Sequence, residues 1–159
     1  MLLRKALAAL IALMLAGLAG PAFAQQKVRM QTAVPSASIY FELLKRYADR
    51  VDKMSNGRVK IEVLPDGAIV PAFEILDAVD KGIVEGGYAW THYWSGKHPA
   101  AGIFSNPMAG AGADLDQLSH VAWLLEGGGN KLLDRFYADV LKVNVVPLLV
   151  QPMGPDPLG

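Results

Sequence analysis

Five consecutive residues, Trp90-Thr91-His92-Tyr93-Trp94, set three aromatic rings, a hydroxyl and an imidazole side by side. Such a run can form an apolar wall with polar tips, the surface that small-ligand pockets need. It can equally pack beneath the loop that follows. Pro35-Ser36-Ala37-Ser38 precedes a stretch with helical spacing. Free N–H groups at a helix start attract anions, and Ser36 or Ser38 could also act simply as a cap. Gln151 follows an apolar run and carries an amide with donors and an acceptor, suited to a ligand or to stabilising its own loop.

Other chemistry is poorly supported. Gly127-Gly128-Gly129-Asn130-Lys131 resembles a phosphate loop but lacks the required glycine-to-lysine spacing and lies between helical stretches, so it reads as a helix–helix turn. His92 and His98 are six positions apart with no third ligand nearby, which argues against a metal. Asp114 and Asp116 could suggest calcium, but Asp114 with Gln117 forms a capping box. No Gly-x-Ser-x-Gly elbow occurs, and suitably paired carboxylates are not evident. A secreted hydrolase therefore has little support, and the chain reads as a non-enzyme with no catalytic residues.

The elements that must carry these residues follow from periodicity. Lys27 to Val34 alternates Val28, Met30 and Thr32 against Lys27, Arg29 and Gln31, a strand pattern. Ile39 to Met54 sets Tyr40, Leu43, Leu44, Tyr47 and Val51 on one helical face, and Ser55-Asn56-Gly57 ends it. Val59 to Leu64 is a second strand. Pro71 opens a helix over Phe73 to Lys81. Ile83 to Trp90 is a third strand whose Gly86-Gly87 pair suggests close approach of a backbone or ligand. An irregular stretch spans 91–113. Helices follow from 114 to about Glu126 and from Asn130 to Leu141, and Val143 to Val150 is a fourth strand. Alternating strands and helices predict an α/β fold, mainly a parallel sheet flanked by helices. Ligands of such sheets sit beyond the carboxyl ends of the strands, where the three candidate places lie.

The 159 residues include 15 basic and 15 acidic side chains, no cysteine, and 52% apolar residues. This balance excludes an intrinsically disordered chain, a disulfide scaffold and a thiol enzyme, and it lacks the excess positive charge of a nucleic-acid binder. Arg4-Lys5, the apolar run Ala6 to Ala19, a Gly20-Pro21 break and Ala22-Phe23-Ala24 form a signal-peptide pattern, with cleavage after Ala24. The apolar run is too short for a membrane span. Residues 1–24 are thus an export signal, and the remainder from Gln25 carries 13 basic and 15 acidic residues. The destination is periplasmic. The Pro- and Gly-rich end after Val150 closes no element, and residues 25–159 read as an incomplete domain.

Glu85 to Ala101 (EGGYAWTHYWSGKHPAA), Tyr47 to Pro71 (YADRVDKMSNGRVKIEVLPDGAIVP) and Gln151 to Pro155 (QPMGP) resemble the periplasmic solute-binding proteins of tripartite ATP-independent periplasmic (TRAP) transporters, the DctP-like family. The likeness is to the branch binding 2-oxo acids such as pyruvate, with relatives binding lactate. It implies two α/β lobes closing on a small carboxylate and delivery of that ligand to a membrane permease. The chain corresponds to the first lobe, with the second lobe truncated. The resemblance also implies a sodium or calcium ion beside the ligand and a homodimer in the full-length protein. It assigns the ligand to Gln151, also near the ion, and to the Trp90–Trp94 segment, with Tyr93 foremost. Trp90, Thr91, Tyr93, Ser36 and Gln151 are the candidate ligand-binding residues, and no other cofactor is expected.

Overall fold

The computed structural model describes residues 24–105 and 116–148. Residues 1–23 of the expected export signal, Asp114 and Gln151 lie outside them. The first alternating segment forms β1 (Gln26–Thr32). Ser38 then caps α1 (Ile39–Met54), its hydroxyl accepting from the Tyr40 N–H at 3.2 Å. β2 (Val59–Leu64) returns parallel to β1, pairing Gln26 with Val59 through Gln31 with Leu64. A 3₁₀ turn (Ala72–Glu74) leads into α2 (Ile75–Asp80), and β3 (Gly86–Tyr88) pairs parallel to the other side of β1. The sheet order is β2-β1-β3.

A second 3₁₀ turn (Thr91–Trp94) and α3 (Ala101–Ser105) occupy part of the stretch expected to be irregular. Next come α4 (Gln117–Leu125), α5 (Gly129–Arg135) and a π-helical turn (Phe136–Leu141). Asp116 caps α4, with one carboxylate oxygen accepting from the N–H groups of Leu118 and Ser119, both at 2.9 Å. The triple glycine is the helix–helix turn its position implied. Gly128 takes φ 85°, a left-handed conformation that costs glycine little.

The core lies between the sheet's end and these helices. Leu76, Trp94, Ala101, Phe104, Leu133, Phe136 and Tyr137 form one buried cluster. Phe104 joins Phe136 and Trp123, with ring centroids 5.2 and 6.2 Å away.

Four expectations are corrected. Residues 143–148 form no strand. They alternate between half-buried and exposed, as a strand would, but join no strand among the described residues: the Val143 N–H donates to the Tyr137 carbonyl at 3.1 Å, the Asn144 N–H to Asp80 Oδ1 at 2.7 Å, and Pro147 offers no N–H to a ladder. β3 is three residues long because only Met30, Gln31 and Thr32 of β1 extend beside it. Gly87 admits α2 rather than a ligand, since a Cβ there would sit 2.5 Å from Ile75 Cγ2, and a Cβ at Gly86 would meet Met30 of β1 at 3.2 Å. The α1 face is also rotated. Phe41, Leu44, Ala48 and Val51 turn inward, while Leu43 and Tyr47 stay 44% and 46% exposed. Small Ala48 carries no hydropathy signal, yet it is the buried residue where the helix meets the sheet.

Candidate functional site

The three strands deliver their carboxyl ends to one rim. After β1, the Ala33 N–H donates to the Tyr88 carbonyl at 2.8 Å, and the Val34 carbonyl accepts from the Asp66 N–H at 2.9 Å. The Thr32 hydroxyl donates to the same Val34 carbonyl at 2.9 Å. Gln31 stabilises the rim from below. The strand pattern places it on the polar face, but it is fully buried. Its Nε2 donates to the Val70 carbonyl at 2.5 Å, and its Oε1 accepts from the N–H groups of Ile69 and Val70, both at 3.0 Å. One side chain thereby satisfies three backbone groups of the loop after β2. Losing such partners at a buried position costs about 1–3 kcal/mol.

On this rim stands a ring wall. Trp90 is central: Tyr93 lies 5.6 Å away, Tyr40 and Tyr88 each 6.0 Å, and His92 6.4 Å in a near-parallel stack. Tyr93 packs on Phe73 at 4.5 Å and on His92 at 4.8 Å. All these separations lie in the range of attractive ring contacts. Tyr40 comes from the first turn of α1, Phe73 from the 3₁₀ turn after β2, and the remainder from the end of β3. Sequence reading missed Tyr40, Phe73 and Tyr88 as wall members. The available signal was position, because each sits at or just beyond a strand's carboxyl end.

The expected residues separate in space. Trp90 and Tyr93 are half-buried members of the wall. Thr91 is buried beneath it, and its Oγ1 has no hydrogen-bond partner among the described residues. Trp94 turns away into the core. Ser36 is exposed in the turn before α1, at the same end of the sheet, and Ser38 is the cap.

The phenols of Tyr88 and Tyr93 stay protonated. Burial, and secondarily Tyr40, pushes the Tyr88 hydroxyl up to about 12. Burial first, and then the negative charge of Asp66, raises that of Tyr93. At neutral pH both can therefore donate to an anionic oxygen. The wall offers a ligand apolar contact and neutral donors. Among the described residues no group of three or more His, Cys, Asp or Glu could hold a metal ion.

A family model described as bacterial extracellular solute-binding protein, family 7, matches residues 30–145. A monocarboxylate 2-oxoacid-binding periplasmic protein of Nostoc sp. is 35% identical over 116 residues, covering 73% of this chain and 31% of the relative. A TRAP transporter solute-binding protein of Bordetella bronchiseptica superposes with TM-score 0.67 at 28% identity. That match covers 77% of this chain and 35% of the other, which is a dimer with copurified calcium and picolinate. A TRAP periplasmic solute-binding protein of Colwellia psychrerythraea, with bound calcium and pyruvate, gives TM-score 0.64 at 25% identity over 71% of this chain and 34% of the other. The chain thus spans about a third of the length of the relatives it matches. The α/β layout agrees with the matched portion of these proteins, and the ring wall stands where an open parallel sheet takes its ligand. By sequence and by fold, the chain belongs to family 7 of the bacterial extracellular solute-binding proteins.

Proposed function

We propose that the chain is part of an extracytoplasmic solute-binding subunit of a TRAP transporter, which captures a small monocarboxylate of the 2-oxo acid class and hands it to the membrane permease. The observation that carries this reading is the ring wall at the joined carboxyl ends of three parallel strands. The names of the relatives support the ligand class. Trp90 supplies the apolar floor. Tyr93 donates a hydrogen bond to a ligand oxygen, and Thr91, whose hydroxyl has no partner among the described residues, backs the site from beneath the wall. Ser36 lines the anion-attracting start of α1, and Gln151 completes the contacts from beyond the described residues. Residues 1–24 direct export to the periplasm. A sodium or calcium ion accompanying the ligand is held outside the described residues, with Gln151 close to it. The working protein is a homodimer, and it takes part in no covalent chemistry and binds no nucleic acid.

The wall is one side of a cleft. A second lobe closing on it would exclude water and strengthen every polar contact inside. Residues 25–159 alone are therefore expected to bind pyruvate weakly, with Kd on the order of 1 mM or above, corresponding to about 4 kcal/mol or less. Calorimetric titration with pyruvate tests this. Weak binding lost on Trp90→Ala supports the reading. Micromolar affinity would contradict the need for a second lobe, and weak binding indifferent to Trp90→Ala would contradict the site.

A further inference from the structure

We propose that His92 is a positioning residue, tethered through buried Ser105 to the core and holding the ring planes of Trp90 and Tyr93 in place for the ligand. The proposal rests on the reading of the ring wall as the ligand site. His92 Nδ1 lies 2.8 Å from Ser105 Oγ. Ser105 is 4% exposed and ends α3, the helix that contributes Ala101 and Phe104 to the core. The His92 main chain is fixed as well, because its carbonyl accepts from both the N–H and the hydroxyl of Ser95, at 3.0 and 2.8 Å. The imidazole is thus held by its ring and by its backbone.

That fixed ring touches both wall residues. It stacks on Trp90 at 26° between planes and meets Tyr93 nearly at right angles. Half-buried rings held only by mutual contact can exchange rotamers. Contact with an anchored neighbour removes that freedom. The residue types suit the task. Phenylalanine could stack but offers no atom to the tether, and asparagine could be tethered but not stack. A serine hydroxyl both donates and accepts, so the tether forms whichever imidazole nitrogen carries the proton.

The test needs no ligand. The chain is labelled with 5-fluorotryptophan, which gives separate fluorine signals for Trp90, Trp94 and Trp123, and Trp90→Phe assigns the first. Ser105→Ala and His92→Gln should each broaden and shift the Trp90 signal. Ser105→Thr, which keeps the hydroxyl, should return it to its original position. His92 is exposed, so its replacement opens no cavity and decides the matter if Ser105→Ala does not fold. An unmoved Trp90 signal in His92→Gln would overturn the proposal. So would equal changes in all three signals, which mark general loosening. Because pyruvate is absent, the two readings separate. A Trp90 response in a chain that never binds pyruvate would remove the ligand assignment and leave the tether. Pyruvate binding with an unmoved Trp90 signal would do the reverse.

Discussion

The β1–α1–β2 unit and the stretch from β3 to Leu148 are held together by different means. In the first, six residue pairs of parallel ladder and one sixteen-residue helix carry the structure. In the second, the strand has three residues, and the rest is 3₁₀ turns, short helices, a π-helical turn and a segment that joins no strand among the described residues. Its order comes from side chains, namely the cluster around Phe104, Leu133 and Phe136 and the ring wall above it. Backbone pairing repeats along a chain, whereas a ring cluster is assembled from residues far apart in sequence. The ring wall lies where the two regimes meet, with Tyr40 from the first and Trp90, His92 and Tyr93 from the second.

Breaking the second region should cost most. Phe136→Ala removes a 5%-exposed ring that contacts Phe104, His98 and Tyr137. The expected loss is about 3–5 kcal/mol in denaturant unfolding, a large fraction of a domain's stability. A loss below about 1 kcal/mol, the range of surface changes, would mean the cluster is not what holds this region. Gly87→Ala strikes the seam between β3 and α2. Its Cβ would stand 2.5 Å from Ile75 Cγ2, and Ile75 is 2% exposed with little room to retreat. The expected cost is about 1–3 kcal/mol. A neutral Gly87→Ala would show that α2 is free to shift.

The first region should respond more mildly. Ser38→Ala removes the α1 cap and should cost about 1 kcal/mol, while Ser38→Asp should restore it. No loss on Ser38→Ala would show that the sheet fixes the helix start unaided. The smallest effect is expected where Arg29 of β1 ties down Glu85 ahead of β3. Two hydrogen bonds from the Arg29 side chain, and then its backbone N–H, hold the exposed Glu85 carboxyl at about 2, below its ordinary 4.5. A depressed carboxyl stabilises the fold above its ordinary value and loses that contribution as pH falls through the folded one. The difference in unfolding midpoint between the wild type and Glu85→Gln should therefore be present at pH 6 and shrink between pH 4.5 and 2. It should also shrink in high salt, as for any exposed pair. A difference that persisted at pH 2 would show that another property of Glu85 is responsible.

The same division governs what could be read from the residues. α1 and β2 match their expected limits, because hydropathy period and turn residues are local signals. The buried face of α1 keeps Tyr40, Leu44 and Val51 of the expected face and departs from it at Leu43 and Tyr47, which outweigh Ala48 in hydropathy but not in fit. Alternation points Gln31 outward because polarity in a strand normally means solvent, whereas here a neighbouring loop supplies its partners. Trp90 to Trp94 was legible as a ring-rich segment, but not its division into wall and core, since a 3₁₀ turn of about three residues per turn sends Thr91 and Trp94 to the same buried side. Residues 143–148 carry a strand's alternation without a neighbouring strand among the described residues, and ladder pairing is not a property of the segment alone.

The central claim is that the wall at the strand ends takes the ligand, and the three tryptophans report on it separately. Trp90 stands in the wall, Trp94 in the core and Trp123 against Phe104 at the far side of that core. The most direct measurement is a pyruvate titration of the 5-fluorotryptophan-labelled chain. The predicted result is a saturable shift of the Trp90 signal with Trp94 and Trp123 unmoved. A saturable shift at Trp123 with Trp90 silent, or no shift at any of the three, would contradict it.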